Sequence, residues 1–244
     1  LVSHDRSRPP EGEARAVRRV TGLNRTGCRL HFCHLSTAGA IDQAGGTVEA
    51  SPHHLFLSRD LFHPEDPMGK VNPPLRSESE RKKLLASWKR IDVIASDHAP
   101  HTRGEKSIPF AQAPSGIPGV ETMLPLLVAE VLKGRCSLPS VIEKCALRPA
   151  ELLGIPPGGY LPGCRADFSV FPRDIMVISP DALHSKAGWT PFEGFDAVFP
   201  DLVVMGGIPV FSKGDYFQGR PVWYAGRGYI PGERMQDGAD TARP

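Results

Sequence analysis

Histidine side chains are concentrated in one stretch of the chain. Seven of the nine histidines lie between His31 and His101, and most of them form clusters at 31–34, 53–54 and 97–101, the last beginning with Asp97. Imidazole and carboxylate groups are ligands that suit Zn²⁺ or a similar divalent ion. Such an ion polarises a carbonyl and lowers the pKa of bound water from ~15.7 to about 7. Spacing alone leaves two interpretations open, a metal site or polar residues scattered in loops.

Each cluster follows a segment with strand character. The predicted strands cover 29–33, 47–51 and 91–96, and the third is apolar enough to be buried on both faces. Predicted helices cover 11–23, 77–88, 120–132, 138–146 and 150–153. This alternation is typical of parallel α/β structure, in which the chemistry lies at the carboxyl ends of the strands. An unpaired carboxylate after a buried strand is costly, so the position of Asp97 favours a bound metal or a catalytic proton.

After Gly154 the sequence becomes rich in turn residues and short strand segments. Predicted strands cover 166–171, 202–205 and 208–211, and Gly206-Gly207 is a two-residue hairpin turn between the last two. This region carries no further histidine cluster. The residues from 232 on are polar, and we expect them to form a flexible tail.

Composition places the chain among ordinary globular proteins. The formal charge is +2, with 40% hydrophobic and 23% charged residues, and this balance gives no reason to expect a nucleic acid or an anionic membrane as partner. Five cysteines without CxxC spacing indicate a reducing, cytoplasmic setting. No apolar run reaches the ~18 residues of a membrane helix, and no signal peptide is recognisable.

Five sequence strings resemble those of dihydroorotases, metal-dependent cyclic amidohydrolases of pyrimidine biosynthesis, and they occur in the family's order. The strings are HFCHLST at 31–37, EASPHHL at 49–55, KVNPPLR at 70–76, ASDHAPH at 95–101 and APSGI at 113–117. The resemblance extends from about residue 11 to about residue 215. It implies the last three βα units of a TIM-like (β/α)8 barrel at 1–154, strands of a small β-sandwich at 155–231 and a tail at 232–244.

The resemblance also implies roles for individual residues. His34 would bind the metal, expected to be one or two Zn²⁺ ions, and Asp97 would both bind it and act as general base and acid. The residues implied in substrate binding are Asn72, His101, Ser115 and Gly116. The family reaction is the reversible conversion of dihydroorotate to N-carbamoyl-L-aspartate, which needs a polarised carbonyl, an activated water and one shuttled proton.

Other polar residues in these strings are expected to support the site. We interpret His53, His54 and His98 as residues that orient the ligands or order the loops. We expect His31 to have a structural role and Cys33 to be a small buried residue. Arg76 could anchor its loop or bind a carboxylate.

The sequence departs from the family pattern in the first half of the site. The family has a His-x-His pair and an Arg in the first barrel strand, a carboxylated Lys or an Asp in the fourth and a His in the fifth, and none of these is recognisable here. His34 and Asp97 alone would be short of the three protein ligands usual for catalytic zinc. We therefore expect a C-terminal portion of a dihydroorotase that is inactive alone.

Two alternatives remain open from the sequence. One is another cyclic amidohydrolase, such as an allantoinase or a hydantoinase, although the strings NPPLR and DHAPH favour dihydroorotase. The other is a catalytically inactive dihydroorotase-like subunit that binds aspartate transcarbamoylase. A homodimer is also possible.

Overall fold

The computed structural model describes residues 1–217, which fall into two compact units. The first unit comprises Leu1–Pro149 and Phe171–Phe199, and the second comprises Ala150–Val170 and the chain from Pro200 onward. The chain therefore passes between the units three times, whereas the sequence suggested one boundary after residue 154. The predicted tail at 232–244 and residues 218–231 lie outside the described residues, so the three-part division stays a prediction.

The first unit is built on a parallel sheet whose strands follow one another in sequence order. Its strands are β1 (His31–Phe32), β2 (Thr47–Ala50) and β3 (Val93–Ile94). Phe32 pairs with Val48, and Ala50 pairs with Ile94. Parallel pairing brings the residues that follow each strand to one edge of the sheet.

Helices lie between and after these strands. They are α1 (Val2–Ser7), α2 (Pro10–Leu23), α3 (Ala38–Ile41), α4 (Pro52–Phe56), α5 (Glu78–Ala86), α6 (Arg103–Lys106), α7 (Met123–Leu132), α8 (Leu138–Ile142) and α9 (Arg148–Leu153), which crosses into the second unit. Shorter turns are 3₁₀ at Arg59–Leu61, Pro67–Gly69, Trp88–Arg90 and Pro180–Ala182, and π-helical at Glu143–Leu147.

Side-chain alternation along the strands gives the sheet one apolar face and one polar face. Phe32, Val48 and Ala50 are buried in a core that also contains Leu84 and Leu127. The residues between them point the other way, because successive side chains of a strand alternate. On β1 and β2 that second face carries polar groups, whereas both residues of β3 are buried, as expected for this strand. This polar face adjoins the residues that follow the strands.

The remaining strands are antiparallel. In the first unit β5 (Met176–Val177) pairs with β6 (Asp196–Ala197). In the second unit the sheet order is β4-β7-β8-β9, with β4 (Phe168–Val170), β7 (Leu202–Met205), β8 (Ile208–Ser212) and β9 (Asp215–Tyr216). Gly206 and Gly207 both have positive φ, as a tight hairpin turn requires, so the predicted hairpin is confirmed.

Candidate active site

The backbone at His34 and Asp97 adopts a conformation that non-glycine residues rarely take. His34 follows β1 with φ of 42°, and Asp97 follows β3 with φ of 47°. Within residues 1–217 only Lys213, in a turn of the second unit, shares this property among the non-glycine residues. Such a conformation costs about 1–2 kcal/mol per residue, and strain of this kind clusters at functional sites. The two residues singled out as ligands from the sequence are therefore also the strained residues of the sheet edge.

His53 lies beside Asp97 at this edge. Its Nε2 atom is 3.7 Å from Oδ2 of Asp97, and its ring centroid is 4.2 Å from that of His54. Burial lowers the pKa of His53 well below its usual value, and His54 and His34 lower it further. The ring is consequently neutral at neutral pH, so its contact with Asp97 is a dipolar contact and not an ion pair.

Three imidazole nitrogens around the edge are buried without a hydrogen-bond partner. Among the described residues these are Nδ1 of His34, Nε2 of His53 and Nδ1 of His54. Buried polar atoms almost always have a partner, and an orphaned one costs about 1–3 kcal/mol. A ligand that accepts electron pairs would satisfy them. The imidazole and carboxylate groups of His34 and Asp97 are therefore of a kind that fits a metal ion, with His53 beside them.

The carboxyl group of Asp97 is biased towards keeping a proton. Burial raises the pKa of Asp97, and Glu49 adds to this, while the positive charge that His34 can carry lowers it. A carboxyl with a raised pKa holds a proton more readily than an ordinary carboxyl does. This is the property that general acid–base catalysis requires.

Glu49 belongs to the same edge, although sequence reasoning did not single it out. Its Oε1 atom accepts the backbone N–H of His34 at 3.1 Å, and its Oε2 atom lies 3.3 Å from Nε2 of His31. His31, Cys33 and Glu49 bring their ligand atoms within 4.8 Å of one another, as metal ligands do. Cys33 is exposed, so the expectation of a buried Cys33 was wrong. The pairing of the predicted strands could have identified Glu49, because β1 and β2 pair in parallel with a register that places position 33 beside position 49.

The loop at 70–76 forms one wall of a cavity beside His34. Asn72 and Arg76 line this cavity together with His34, and its volume is about 540 Å³. The Nε2 atom of His54 lies 3.0 Å from the carbonyl oxygen of Pro73, so His54 fixes this loop against α4. Burial lowers the pKa of His54 to about 3, against a smaller upward effect of the Pro73 carbonyl.

His101, Ser115 and Gly116 come together in a second group. A Cβ atom on Gly116 would lie 2.5 Å from the carbonyl oxygen of Ala99 and 3.3 Å from the ring of His101, and φ of Gly116 is 139°. Ser115 is half-buried next to it. No hydrogen bond or ion pair within the described part of the chain joins His101 or Ser115 to His34 or Asp97.

His98 and Arg76 have partners that explain their positions without a substrate. Nδ1 of His98 accepts the backbone N–H groups of Gly119 and Val120 at 3.0 and 3.2 Å. Arg76 is 3% exposed and donates to Ser36 Oγ at 2.9 Å and to Asp5 Oδ1 at 2.6 Å. The geometry thus favours an anchoring role for the Arg76 guanidinium group.

Sequence comparison relates the chain to proteins of known name. Curated dihydroorotases match it at 44% identity for Halobacterium salinarum, 40% for Methanosarcina acetivorans and 43% for Archaeoglobus fulgidus. These matches cover 88%, 86% and 81% of this chain. The chain is a relative of the dihydroorotases. No protein-family model matches it.

The similarity to dihydroorotases extends over part of those proteins. The chain spans about half the length of the curated relatives, namely 53%, 50% and 48% of the three. The family resemblance expected from the sequence strings is confirmed over this part.

Solved structures of related hydrolases share the fold. The D-hydantoinase of a Bacillus species, AR9, superposes with a TM-score of 0.82 at 26% identity, and covers 88% of this chain and 52% of its own. The dihydropyrimidinase of Brevibacillus agri superposes with a TM-score of 0.81 at 26% identity and the same coverage. The dihydroorotase relative therefore has the α/β fold of the hydantoinases. None of its helices within residues 1–217 has the length and apolar character needed to cross a bilayer.

Proposed function

We propose that this chain supplies one side of a dihydroorotase active site, which interconverts dihydroorotate and N-carbamoyl-L-aspartate in pyrimidine biosynthesis. The observation that carries the proposal is the edge of the parallel sheet, where the strained residues His34 and Asp97 lie with orphaned imidazole nitrogens. Backbone strain and buried nitrogen atoms without a partner both cost free energy unless a bound group compensates them.

We propose that the bound group is Zn²⁺, one or two ions, held in part by His34 and Asp97. When bound, zinc polarises the carbonyl of the scissile amide and activates water. A catalytic zinc ion usually has three protein ligands, so we infer that residues from the part of a dihydroorotase that this chain does not span complete the site. The chain by itself is then expected to be inactive.

In this proposal Asp97 moves the proton of the reaction. It takes a proton from the attacking water and delivers it to the amide nitrogen that leaves, and the reverse reaction uses the same two steps. The raised pKa of Asp97 supports this role, because it lets the carboxyl hold a proton between the two transfers. His53 lies next to it, and its neutral ring orients the carboxylate without neutralising its charge.

The substrate would lie between the two loop groups described above. We propose that Asn72 contacts it from the cavity beside His34, and that the ring of His101 and the backbone of Ser115 and Gly116 contact it from the other side. Exposure of Asn72 to the cavity and the close backbone approach at Gly116 support this arrangement. His53, His54 and His98 would order the ligands and the loops.

The wider architecture is also a proposal. The three parallel βα units are interpreted as the last part of a (β/α)8 barrel, and the antiparallel strands of the second unit as part of a small β-sandwich. A cytoplasmic location and association into a homodimer or with aspartate transcarbamoylase stay predictions, as does the absence of a nucleic-acid partner.

Hydantoinase activity is the alternative that a specific observation favours, since the solved structures with this fold are named hydantoinases and dihydropyrimidinases. The sequence relatives argue for dihydroorotase, because their identity reaches 44% compared with 26% for those structures. A non-catalytic subunit is disfavoured because His34, Asn72, Asp97 and His101 are all present.

Fragment complementation tests the proposal. The 244-residue chain is combined with the half of the Halobacterium salinarum dihydroorotase that it does not match, and hydrolysis of dihydroorotate, hydantoin and allantoin is measured with Zn²⁺. We expect turnover of dihydroorotate above that of the other two, lost in Asp97→Asn and retained in the exposed-residue control His63→Gln. Preferred turnover of hydantoin would support the alternative. Full activity of Asp97→Asn would contradict the proposed catalytic role.

A further inference from the structure

Between the two groups of candidate substrate-binding residues lies a fully buried lysine that has no counter-ion in contact among residues 1–217. Lys106, the last residue of α6, is 0% exposed. Its Nζ atom donates to three backbone carbonyls, those of Lys70 at 3.0 Å, Pro114 at 3.1 Å and Gly116 at 3.0 Å. A buried ammonium group normally requires a paired carboxylate. Around Lys106 the dipoles of three backbone carbonyls replace the carboxylate.

These three carbonyls belong to both loops. Lys70 begins the loop that carries Asn72, while Pro114 and Gly116 flank Ser115. The same Lys70 carbonyl also accepts the backbone N–H of Gly116 at 3.0 Å. The ammonium group of Lys106 and one amide hydrogen bond therefore join Lys70 to the Pro114–Gly116 segment.

The surroundings of Lys106 keep its side chain in this position. The helix α6 begins with a capping box formed by Thr102 and Glu105, which stabilises a helix of only four residues. Nζ of Lys106 lies 5.9 Å from the ring centroid of Trp189, and the indole N–H of Trp189 donates to the carbonyl of His101 at 2.8 Å. The lysine is thus connected to a third candidate substrate-binding residue.

The surroundings of Lys106 disfavour its positive charge. Burial, with a contribution from the charge of Lys70, lowers the pKa of Lys106 to about 8, and Asp66 opposes the shift in part. A methionine of similar length would avoid this desolvation cost. The three directed hydrogen bonds are what such a residue could not supply.

We propose that Lys106 is a positioning residue that sets the spacing between the Asn72 loop and the Ser115–Gly116 loop, and thereby the affinity for a flat cyclic amide ring. This inference rests on the proposed function, which assigns both loops to the substrate. Lys106 does not touch the reacting atoms in this account. Its removal therefore weakens substrate binding and leaves the chemical step intact.

Lys70 provides a matched control. Its own Nζ donates to the carbonyls of Phe110 at 2.7 Å and Ala113 at 2.6 Å, so it fastens the preceding part of the same loop. Its backbone carbonyl, which holds Gly116, is unchanged in Lys70→Met. Both variants remove one lysine charge from the same region, but only Lys106→Met removes the hydrogen bonds to the carbonyls of Lys70, Pro114 and Gly116.

Hydrogen exchange on the 244-residue chain tests the contact itself. In Lys106→Met we expect the amides of Gly116 and Ala99 to exchange about tenfold faster or more, while the amide of Leu55 on α4 is unchanged. In Lys70→Met the amide of Ala113 should exchange faster and that of Gly116 should not. Unchanged exchange at Gly116 in Lys106→Met overturns the inference. Faster exchange everywhere, including Leu55, also overturns it, because the lysine would then support the whole fold.

Kinetics of the complemented enzyme test the effect on substrate. For Lys106→Met we expect KM for dihydroorotate to rise about tenfold with kcat within about twofold, the pattern of lost ground-state and transition-state binding. A residue needed only for folding would reduce the active fraction, so kcat would fall at constant KM, and that result overturns the inference. If the wild type itself does not turn over dihydroorotate, the proposed function fails, and exchange at Gly116 still decides whether Lys106 joins the loops.

Discussion

The buried histidine pair beside the sheet edge should make the fold sensitive to mild acid. His53 and His54 are 1% and 3% exposed, and each has a nitrogen without a hydrogen-bond partner. Burial lowers the pKa of His54 to about 3 from a usual value of 6.5, and it lowers the pKa of His53 as well. Below pH 6.5 the unfolded chain takes up a proton on each ring, while the folded chain does not. Stability is therefore present above pH 6.5 and lost as the pH falls.

The size of this loss follows from proton linkage. Each histidine that stays neutral in the folded state contributes a loss of about 1.9 kcal/mol between pH 7 and pH 5, and the pair contributes roughly 4 kcal/mol. This is a large share of the typical 5–15 kcal/mol stability of a domain. The raised pKa of Asp97 acts in the opposite direction, but carboxyl groups titrate mostly below this range, near pH 4.

Urea unfolding at pH 7, 6 and 5, followed by circular dichroism in the presence of EDTA, measures the effect. The variant His54→Gln can still donate to the Pro73 carbonyl but does not titrate, so we expect it to lose about half of the pH dependence. His63→Gln, at an exposed position, is the control and should keep all of it. Equal stability at pH 7 and pH 5, or an unchanged slope in His54→Gln, would refute the reasoning.

Three further predictions concern single side chains. In Gly116→Ala the new Cβ would meet the Ala99 carbonyl oxygen at 2.5 Å, in a backbone conformation that disfavours alanine. We therefore expect the unfolding free energy to fall by about 1–3 kcal/mol. An unchanged unfolding free energy would mean that the close approach is absent. Leu127→Ala removes a fully buried core side chain and should cost about 3–5 kcal/mol in chemical denaturation, against less than 1 kcal/mol for the exposed control Leu23→Ala. Glu49→Ala leaves the backbone N–H of His34 without its carboxylate acceptor. We expect the unfolding free energy to fall by about 1–3 kcal/mol and Zn²⁺ binding, measured by calorimetry, to weaken. Unchanged zinc affinity would exclude Glu49 from positioning His34.

Much of the first unit could be predicted from sequence because its signals are local. The apolar runs before residues 34, 51 and 97 predicted the three strands, and α5 lies within the predicted helix 77–88, with Ser77 as its cap. The strands are shorter than predicted, since β3 covers only Val93–Ile94 within the predicted 91–96.

Other elements left no periodic signal. The helices α1 (Val2–Ser7) and α4 (Pro52–Phe56) are absent from the predicted elements. A helix of five or six residues has too few turns to show an apolar face, and tertiary packing decides its formation. The return of Phe171–Phe199 to the first unit depends on contacts far apart in sequence, which no local pattern encodes.

The sequence indicated which residues form the candidate site, but it did not indicate their backbone conformation or their hydrogen bonding. Residue types and order indicated His34 and Asp97. The positive φ of both residues, the orphaned nitrogens and the three carbonyls around Lys106 arise only when distant segments pack together. Those structural features, more than the residue types alone, support the proposal that these residues bind a ligand.

The most direct test of the central claim is zinc-dependent hydrolysis of dihydroorotate by the complemented enzyme, compared for the wild type, His34→Asn and Asp97→Asn. We expect turnover in the wild type with bound zinc, reduced zinc content in His34→Asn and a loss of at least about 100-fold in kcat for Asp97→Asn, the lower end of general acid–base contributions. Wild-type rates in Asp97→Asn, or a stable zinc-loaded complex without any turnover, would contradict it.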